Sequence, residues 1–394
     1  MKALYLKKGE DRRLRVGHLW VFSNEVDTRR SPLVDFAAGE PVRVVTAEDR
    51  PVGVGYVNPA SLICCRLVSR DARAVWGAEL LERRLRRALA LREALFDEPC
   101  YRLVFGEGDY LPGLVVDRYH ETLAVQIGTA GVERLTDVLL ETLQRLLRPT
   151  SILLRNDSAS RELEGLERYI RPALGEVPAE VEVVESGCRF AAPFATGQKT
   201  GWFYDQRPNR EGFAALTQGR RVLDVFSYVG ALGVAAARAG ASEVVCVDAS
   251  ETAAAYVTRN ARTNGVDPQV RVLQGDAFDV LGELARAGER FEAVFVDPPA
   301  FIKRRRDREA GLTAYQRLNR LAMDLLTEDG LLMSCSCSQH LSREDLLRLL
   351  LKAAGRDRRV QLLSQGGQGP DHPVHPAMPE TDYLKSFLLR VWKE

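Results

Sequence analysis

From residue 221 onward, short apolar runs alternate with longer stretches in which leucine, alanine and valine recur every three or four positions. The runs at 221–225, 243–247, 270–273, 291–296 and 330–334 predict strands, and the stretches at 232–239, 251–264, 277–287 and 312–326 predict helices, the second capped by Ser250. Such alternation builds a parallel sheet with helices on both faces, an α/β fold. Two further apolar runs, 360–364 and 386–392, would close the sheet.

Upstream the pattern differs. Closely spaced apolar runs at 4–6, 20–22, 41–45, 52–56 and 62–67 predict a small all-β barrel or sandwich. A leucine-striped helix at 78–96 opens a middle α+β module with strands at 101–105, 113–117, 122–127 and 151–155 and a helix at 132–147. A hairpin over 181–184 and 188–190 and a polar, glycine-bounded loop at 196–207 lead into the α/β part. A chain of 394 residues exceeds one core, and the texture sets domains at 1–72, 73–178 and 179–394.

Composition narrows the classes. With 55 Lys+Arg against 54 Asp+Glu the net charge is +1, so any nucleic-acid surface must be local. Seven cysteines form no C-x-x-C pair, which argues against a disulfide or zinc scaffold and for a reducing cytoplasm. The start has no signal-peptide core and no run approaches roughly 18 apolar residues, so a cytoplasmic protein without a membrane segment is expected.

In a doubly wound sheet, ligands bind beyond the carboxyl ends of the strands, where the strand order reverses. Asp224, Asp248, Asp276 and Asp297 stand at four successive strand ends, and GLLMSCSCS (330–338) at the fifth. One aspartate there is more often a helix cap than a ligand; four in succession shift that balance. The run DVFSYVG (224–230), with Ser227 and Gly230, lets the backbone approach a ligand but lacks G-x-G-x-x-G. Asp248 follows Asp224 by 24 residues, near the spacing at which an acid meets a ribose diol, so an adenosine-bearing cofactor is expected. With neither the dinucleotide fingerprint nor a P-loop present, S-adenosylmethionine is favoured.

A cysteine beside a methyl donor answers a chemical difficulty. C5 of a pyrimidine attacks methyl poorly, whereas a thiolate added to C6 makes the ring enamine-like and nucleophilic at C5. This reading points to methylation of a pyrimidine carbon in RNA, with a paired base flipped into the site. Cys335 and Cys337 share a strand face and either thiol could act; Cys337 lies past the apolar run and is preferred. The C-x-C pair lacks further ligands for a metal, and the other five cysteines lie in or beside apolar runs typical of core thiols. KRRRDR (303–308) offers phosphate contacts or a solvated face, and His372 and His375 sit in a loop near the C-terminus. Basic residues 7–15 beside Trp20 and Phe22 fit base stacking and a solvated turn over core aromatics equally well.

Together QKTGWFYDQR (198–207), DVFSYVG (224–230), DPPAF (297–301), SCS (336–338) and DHP (371–373) resemble bacterial 23S rRNA (cytosine-C5) methyltransferases of the RlmI/RlmO type. LKKG (6–9) and GHLWVF (17–22) resemble the RNA-binding PUA domain that opens those proteins, so the likeness spans nearly the whole chain. The resemblance implies a PUA domain, a middle α+β domain and a Rossmann-like class I methyltransferase domain using S-adenosylmethionine, with Cys337 as nucleophile. It implies that Lys199, Phe203, Asp205, Arg207, Asp224, Ser227, Gly230, Asp248, Ala249, Asp276, Ala277 and Asp297 surround the cofactor, Asp297 also serving the chemistry. It implies 23S rRNA, free or in a large-subunit particle, as partner, and leaves a homodimer open. Ala300 replaces the Lys common in D-P-P-K-F, and no cysteine accompanies Asp297, so the group that helps release product stays unassigned. Two rivals remain: an exocyclic-amine methyltransferase using the Asp-Pro-Pro loop, and a non-catalytic RNA-binding assembly factor.

Overall fold

The computed structural model describes residues 1–393 apart from Thr196, Gln198 and Lys199. It divides into two compact units, one of Met1–Val181, Pro193–Trp202 and Pro370–Asp382, the other of Glu182–Ala192, Phe203–Gly369 and Tyr383–Glu394. No described helix is long and apolar enough to cross a membrane.

The first unit opens with β1 (Lys2–Tyr5), α1 (Arg12–Arg15), β2 (Trp20–Val21), β3 (Glu40–Val45), β4 (Pro51–Val57) and β5 (Cys65–Ser69), in sheet order β1-β3-β4-β5-β2. The strand predicted at 62–67 begins only at Cys65. The Asn58 N–H donates to the Cys64 carbonyl at 2.7 Å and the Asn58 side chain accepts from Ala60, closing a tight loop. The basic and aromatic turn is satisfied internally: the Trp20 indole donates to Glu107 at 2.8 Å, and Arg13 pairs with Glu25 while lying over Phe22.

Next come α2 (Ala78–Leu95), β6 (Cys100–Phe105), β7 (Leu114–Tyr119), β8 (Thr122–Ile127), α3 (Ala130–Glu133), α4 (Thr136–Leu147), β9 (Ser151–Asn156) and β10 (Tyr169–Leu174). They form a second sheet of order β10-β9-β8-β7-β6, antiparallel except between β8 and β9. The helix predicted at 132–147 is two helices, and the edge strand β10 escaped the sequence pattern because its exposed Ile170, Arg171 and Pro172 show no apolar alternation. One core runs from Val54, Tyr56 and Val68 through Leu81 and Leu85 to Val116, Leu139 and Ile152. At Gly131 a Cβ would stand 2.1 Å from the Tyr56 ring, so only glycine permits that contact.

The fully buried Arg92 fastens this unit. Its guanidinium pairs with both Asp109 oxygens at 2.6 and 2.8 Å and donates to the carbonyls of Arg102 and Asp371. Asp371 in turn accepts from the Arg102 N–H and lies 2.9 Å from Nδ1 of His372. The DHP element and its histidines therefore belong to the frame of the first unit. Arg92→Ala should strand Asp109 and the Asp371 carbonyl, lowering stability by about 3–5 kcal/mol. Urea titration of the full chain followed by tryptophan fluorescence checks this, and Arg92→Lys, which cannot make the two-pronged contact, should recover less than half.

The hairpin β11 (Glu180–Glu185) and β12 (Cys188–Pro193) turns at Ser186 and Gly187, both with positive φ. The second unit continues with α5 (Arg207–Ala214), β13 (Arg221–Val225), α6 (Ala231–Arg238), β14 (Glu243–Asp248), α7 (Glu251–Thr263), β15 (Val270–Gln274), α8 (Ala277–Arg286) and β16 (Phe291–Val296). Then follow α9 (Arg308–Asp324), β17 (Leu326–Ser336), α10 (Arg343–Ala354), β18 (Arg358–Gly366) and β19 (Lys385–Lys393). The sheet order is β15-β14-β13-β16-β17-β19-β18, with the first five strands parallel and β19 antiparallel to both neighbours. Leu223, Val225, Val245, Val247, Val294 and Val296 face the apolar sides of α8, α9 and α10. The sequence reading missed α5 and α10, and β17 runs further than predicted, to Ser336.

Candidate active site

The strand order reverses beside β13: β14 and β15 lie to one side, β16 and β17 to the other. The crevice beyond the carboxyl ends of β13 and β16 is thus where such a sheet receives a ligand. Asp224 lies near the end of β13 and Asp297 directly after β16, where its N–H donates to the Val225 carbonyl at 3.3 Å.

The loop after β13 is held in an unusual shape. Phe226 and Tyr228 take left-handed backbone angles, φ 66° and 49°, which side-chain-bearing residues seldom adopt, and Gly230 follows at φ 79°. The Phe226 N–H donates to the Val247 carbonyl at 2.9 Å, and Asp248, at the end of β14, accepts through its two oxygens from the N–H groups of Tyr228 and Ser250, both at 2.9 Å. Asp224 accepts from the Gly233 N–H at 3.0 Å, and a Cβ on Gly233 would lie 2.3 Å from the Cys246 sulfur. Burial, then the nearby charges of Asp297 and Asp248, push the Asp224 carboxyl up to about 7 against the pull of the Gly233 N–H.

Asp276 caps α8, its Oδ1 accepting from the Phe278 N–H at 2.9 Å, with Ala277 buried behind it and Ala249 exposed after β14. Phe203 reaches the loop after β13 by an edge contact with Tyr228, ring centroids 5.3 Å apart. Asp205 accepts from the Tyr383 hydroxyl at 2.5 Å. Arg207 and Arg210 both turn to Glu185, Arg210 through two bonds of 2.6 and 2.7 Å. Lys199 lies outside the described residues.

Cys337 is the one partly exposed cysteine of seven; Cys335 is buried, its thiol 3.9 Å from Gln206 Oε1 and pushed well up by burial and by Asp297. Cys337 sits on a turn whose flanks are pinned. The Tyr315 hydroxyl lies between Ser336 Oγ and Ser338 Oγ, 2.9 Å from each. Ser338 Oγ also accepts from the Ile302 N–H at 3.2 Å, which ties the turn to the Asp-Pro-Pro loop. Lys385, buried on β19 opposite Ser336, donates to the carbonyls of Ser338 and Tyr383 at 2.6 and 2.7 Å.

Several of these groups were missed. Gln206, Asn209 and Arg210 share one face of α5, whose start Pro208 signals, and a lysine inside the apolar run of β19 is itself a sign of a structured partner. Tyr315 was hidden in an ordinary helical stripe.

The comparisons agree with this geometry. A model of S-adenosylmethionine-dependent methyltransferases matches residues 150–390, and one of PUA-like domains matches 4–70. The chain belongs to the S-adenosylmethionine-dependent methyltransferases. Similar proteins include "Ribosomal RNA large subunit methyltransferase I" from Shewanella denitrificans, 36% identical over 98% of each chain. The protein of that name from Escherichia coli O9:H4 is 34% identical over 98% of this chain and 99% of its own. Among solved structures, a methyltransferase complexed with SAH shares the fold at TM-score 0.85 and 20% identity, over 99% of this chain and 100% of its own.

The residues present fit that cofactor. Ser227 Oγ is buried and has no hydrogen-bond partner among the described residues, and the Asp248 oxygens each keep a lone pair beyond the N–H they accept.

A carboxyl whose pKa is raised on folding favours the native state at acid pH, and that contribution is lost as pH rises from about 4 through about 7. Asp224→Asn keeps an acceptor for Gly233 and carries no charge. Its stability relative to the parent, read from thermal midpoints, should therefore rise between pH 5 and pH 8 by roughly 2–3 kcal/mol; a gap independent of pH would contradict the raised value.

Proposed function

We propose that the protein methylates C5 of a cytosine in 23S rRNA through a covalent adduct of Cys337. When bound, S-adenosylmethionine supplies an electrophilic methyl group at the crevice beside β13 and β16. The observation that carries the reading is the Cys337 turn: a partly exposed thiol, next to a buried one, at the end of a central strand and tied to the Asp-Pro-Pro loop. The Cys337 thiolate adds to C6 of the flipped base and makes C5 nucleophilic; with the donor bound, C5 would take the methyl group as the sulfonium–methyl bond breaks and S-adenosylhomocysteine is left, and transfer of the C5 proton to a base then expels the thiolate. Ser336, Ser338, Tyr315 and Lys385 keep the turn from following the thiol when it bonds.

In this reading Asp248 and Ser227 meet the cofactor's ribose and amino-acid ends, with Phe203, Asp205, Arg207, Gly230, Ala249, Asp276 and Ala277 around it. Asp297 stands at the boundary between cofactor and base. Residues 1–72 form the RNA-binding PUA domain, 73–178 the middle domain and 179–394 the catalytic one. The relatives' name supports ribosomal RNA as substrate. Lys303, Arg304 and Arg305, exposed and without an ion pair among the described residues, supply phosphate contacts. The exocyclic-amine alternative needs a free aromatic beside the Asp-Pro-Pro loop, whereas Phe301 packs on Tyr315 and Phe278 at 4.8 and 6.2 Å.

Cys337→Ala should lower methyl transfer to 23S rRNA at least about a thousandfold while leaving S-adenosylmethionine affinity within about twofold by calorimetry. Cys335→Ala should keep appreciable activity. An active Cys337→Ala enzyme would sink the covalent mechanism.

A further inference from the structure

A cavity of about 910 Å³ in the first unit is lined by none of the residues assigned above to methyl transfer. Its wall is contributed by the turn after α1 (Val16 and Gly17), the end of β5, α2, the Gly108–Tyr110 turn and the 375–377 segment. Three arginines line it: Arg70, Arg84 and Arg87. Among the described residues none of them makes an ion pair; Arg70 and Arg84 bond only the carbonyls of Arg15 and Val68. Asp109, the one acid in the wall, is fully engaged by Arg92.

These three like charges, without an ion pair among the described residues, leave the cavity cationic and suited to an anion. Burial, then the charges of Arg87 and Arg83, lowers the Arg84 pKa, which is the signature of a cation lacking a counter-charge. The rest of the wall suits a base. Arg84 lies over the Tyr110 ring at 4.8 Å, and Tyr110, well exposed, meets His375 edge-on at 4.7 Å; Leu91 and Pro376 add apolar surface. His375 Nδ1 accepts from the Ala377 N–H, leaving the ring proton on Nε2, a buried donor without a partner among the described residues. A second cavity of about 360 Å³, lined by Arg15, Thr46, Arg50 and Val52, shares Arg70 with the first, so the cationic track extends past one phosphate.

We propose that this cavity binds a nucleotide of a single RNA strand, its phosphate on Arg70, Arg84 and Arg87 and its base against Tyr110 and His375, with the strand continuing over Arg70 into the second cavity. The site holds RNA independently of the base that is methylated. The inference rests on the reading of RNA as substrate, and it differs from the basic and aromatic turn at residues 7–22, whose Trp20 and Arg13 are committed internally.

The test uses the full chain with a fluorescein-labelled mixed-sequence 12-nucleotide single-stranded RNA, read by anisotropy over a salt series. The double variant R70E/R87E changes two exposed side chains, so folding should survive; unchanged S-adenosylmethionine binding by calorimetry verifies it. It should weaken RNA binding at least about tenfold and flatten the salt slope by about 0.7, the share of one phosphate on a single strand. Tyr110→Ala should weaken binding about tenfold without altering the slope, as loss of stacking does. Parental RNA affinity and slope in R70E/R87E would overturn the cavity proposal and leave RNA as the substrate. No RNA binding by the parent would overturn both. CMP competing as well as the 12-mer would overturn the strand assignment in favour of a free-nucleotide site.

Discussion

A single phenol holds the chemistry in register. The Tyr315 hydroxyl, buried on α9, bonds Ser336 and Ser338 at once and so sets the turn that carries Cys337 between them. Ser338 passes the constraint to Ile302 through the backbone, and Lys385 passes it to Tyr383, whose hydroxyl bonds Asp205. A network of this kind works only when every member is satisfied, because a buried hydroxyl or ammonium left without a partner costs more than the whole contact gains.

The crevice beside it shows the complementary physics. Asp224, Asp248 and Asp297 converge near the reversal of the strand order, and the ionised form of Asp224 is disfavoured first by burial and then by the charges of the other two. Phe226 and Tyr228 hold strained backbone angles, the first with its N–H on the Val247 carbonyl and the second with its N–H on Asp248. Strain and crowded charge of this sort persist where a ligand will use them. In the first unit the same logic runs with the opposite sign, where three arginines stand around a cavity whose one acid, Asp109, is engaged by Arg92.

The parallel order of β13 to β17 could be read from the chain because strands buried on both faces leave continuous apolar runs with helical stripes between them. Asp224, Asp248 and Asp297 were legible as strand-end acids, although for Asp276 the visible bonds are those of a helix cap. Cys337 could be ranked above Cys335 by its distance past the apolar run, and burial separates the two thiols in the same sense. What stayed hidden depends on contacts far apart in sequence. Nothing local marks Tyr315 as a partner of Ser336 and Ser338, or Arg92 as the partner of Asp109 and the Asp371 carbonyl. The histidines at 372 and 375 read from the sequence as residues of a loop near the C-terminus, and they pack into the first unit, where Asp371 is tied to Arg102.

The central claim is that Cys337 bonds to the base during transfer. The most direct measurement incubates the protein and S-adenosylmethionine with 23S rRNA containing 5-fluorocytidine, in which fluorine replaces the proton that must leave, followed by nuclease and protease digestion and mass spectrometry. The account predicts a methylated fluorocytidine nucleotide on the peptide carrying Cys337. Continued methyl transfer to unmodified RNA with no such adduct, or an adduct on another cysteine, would contradict it.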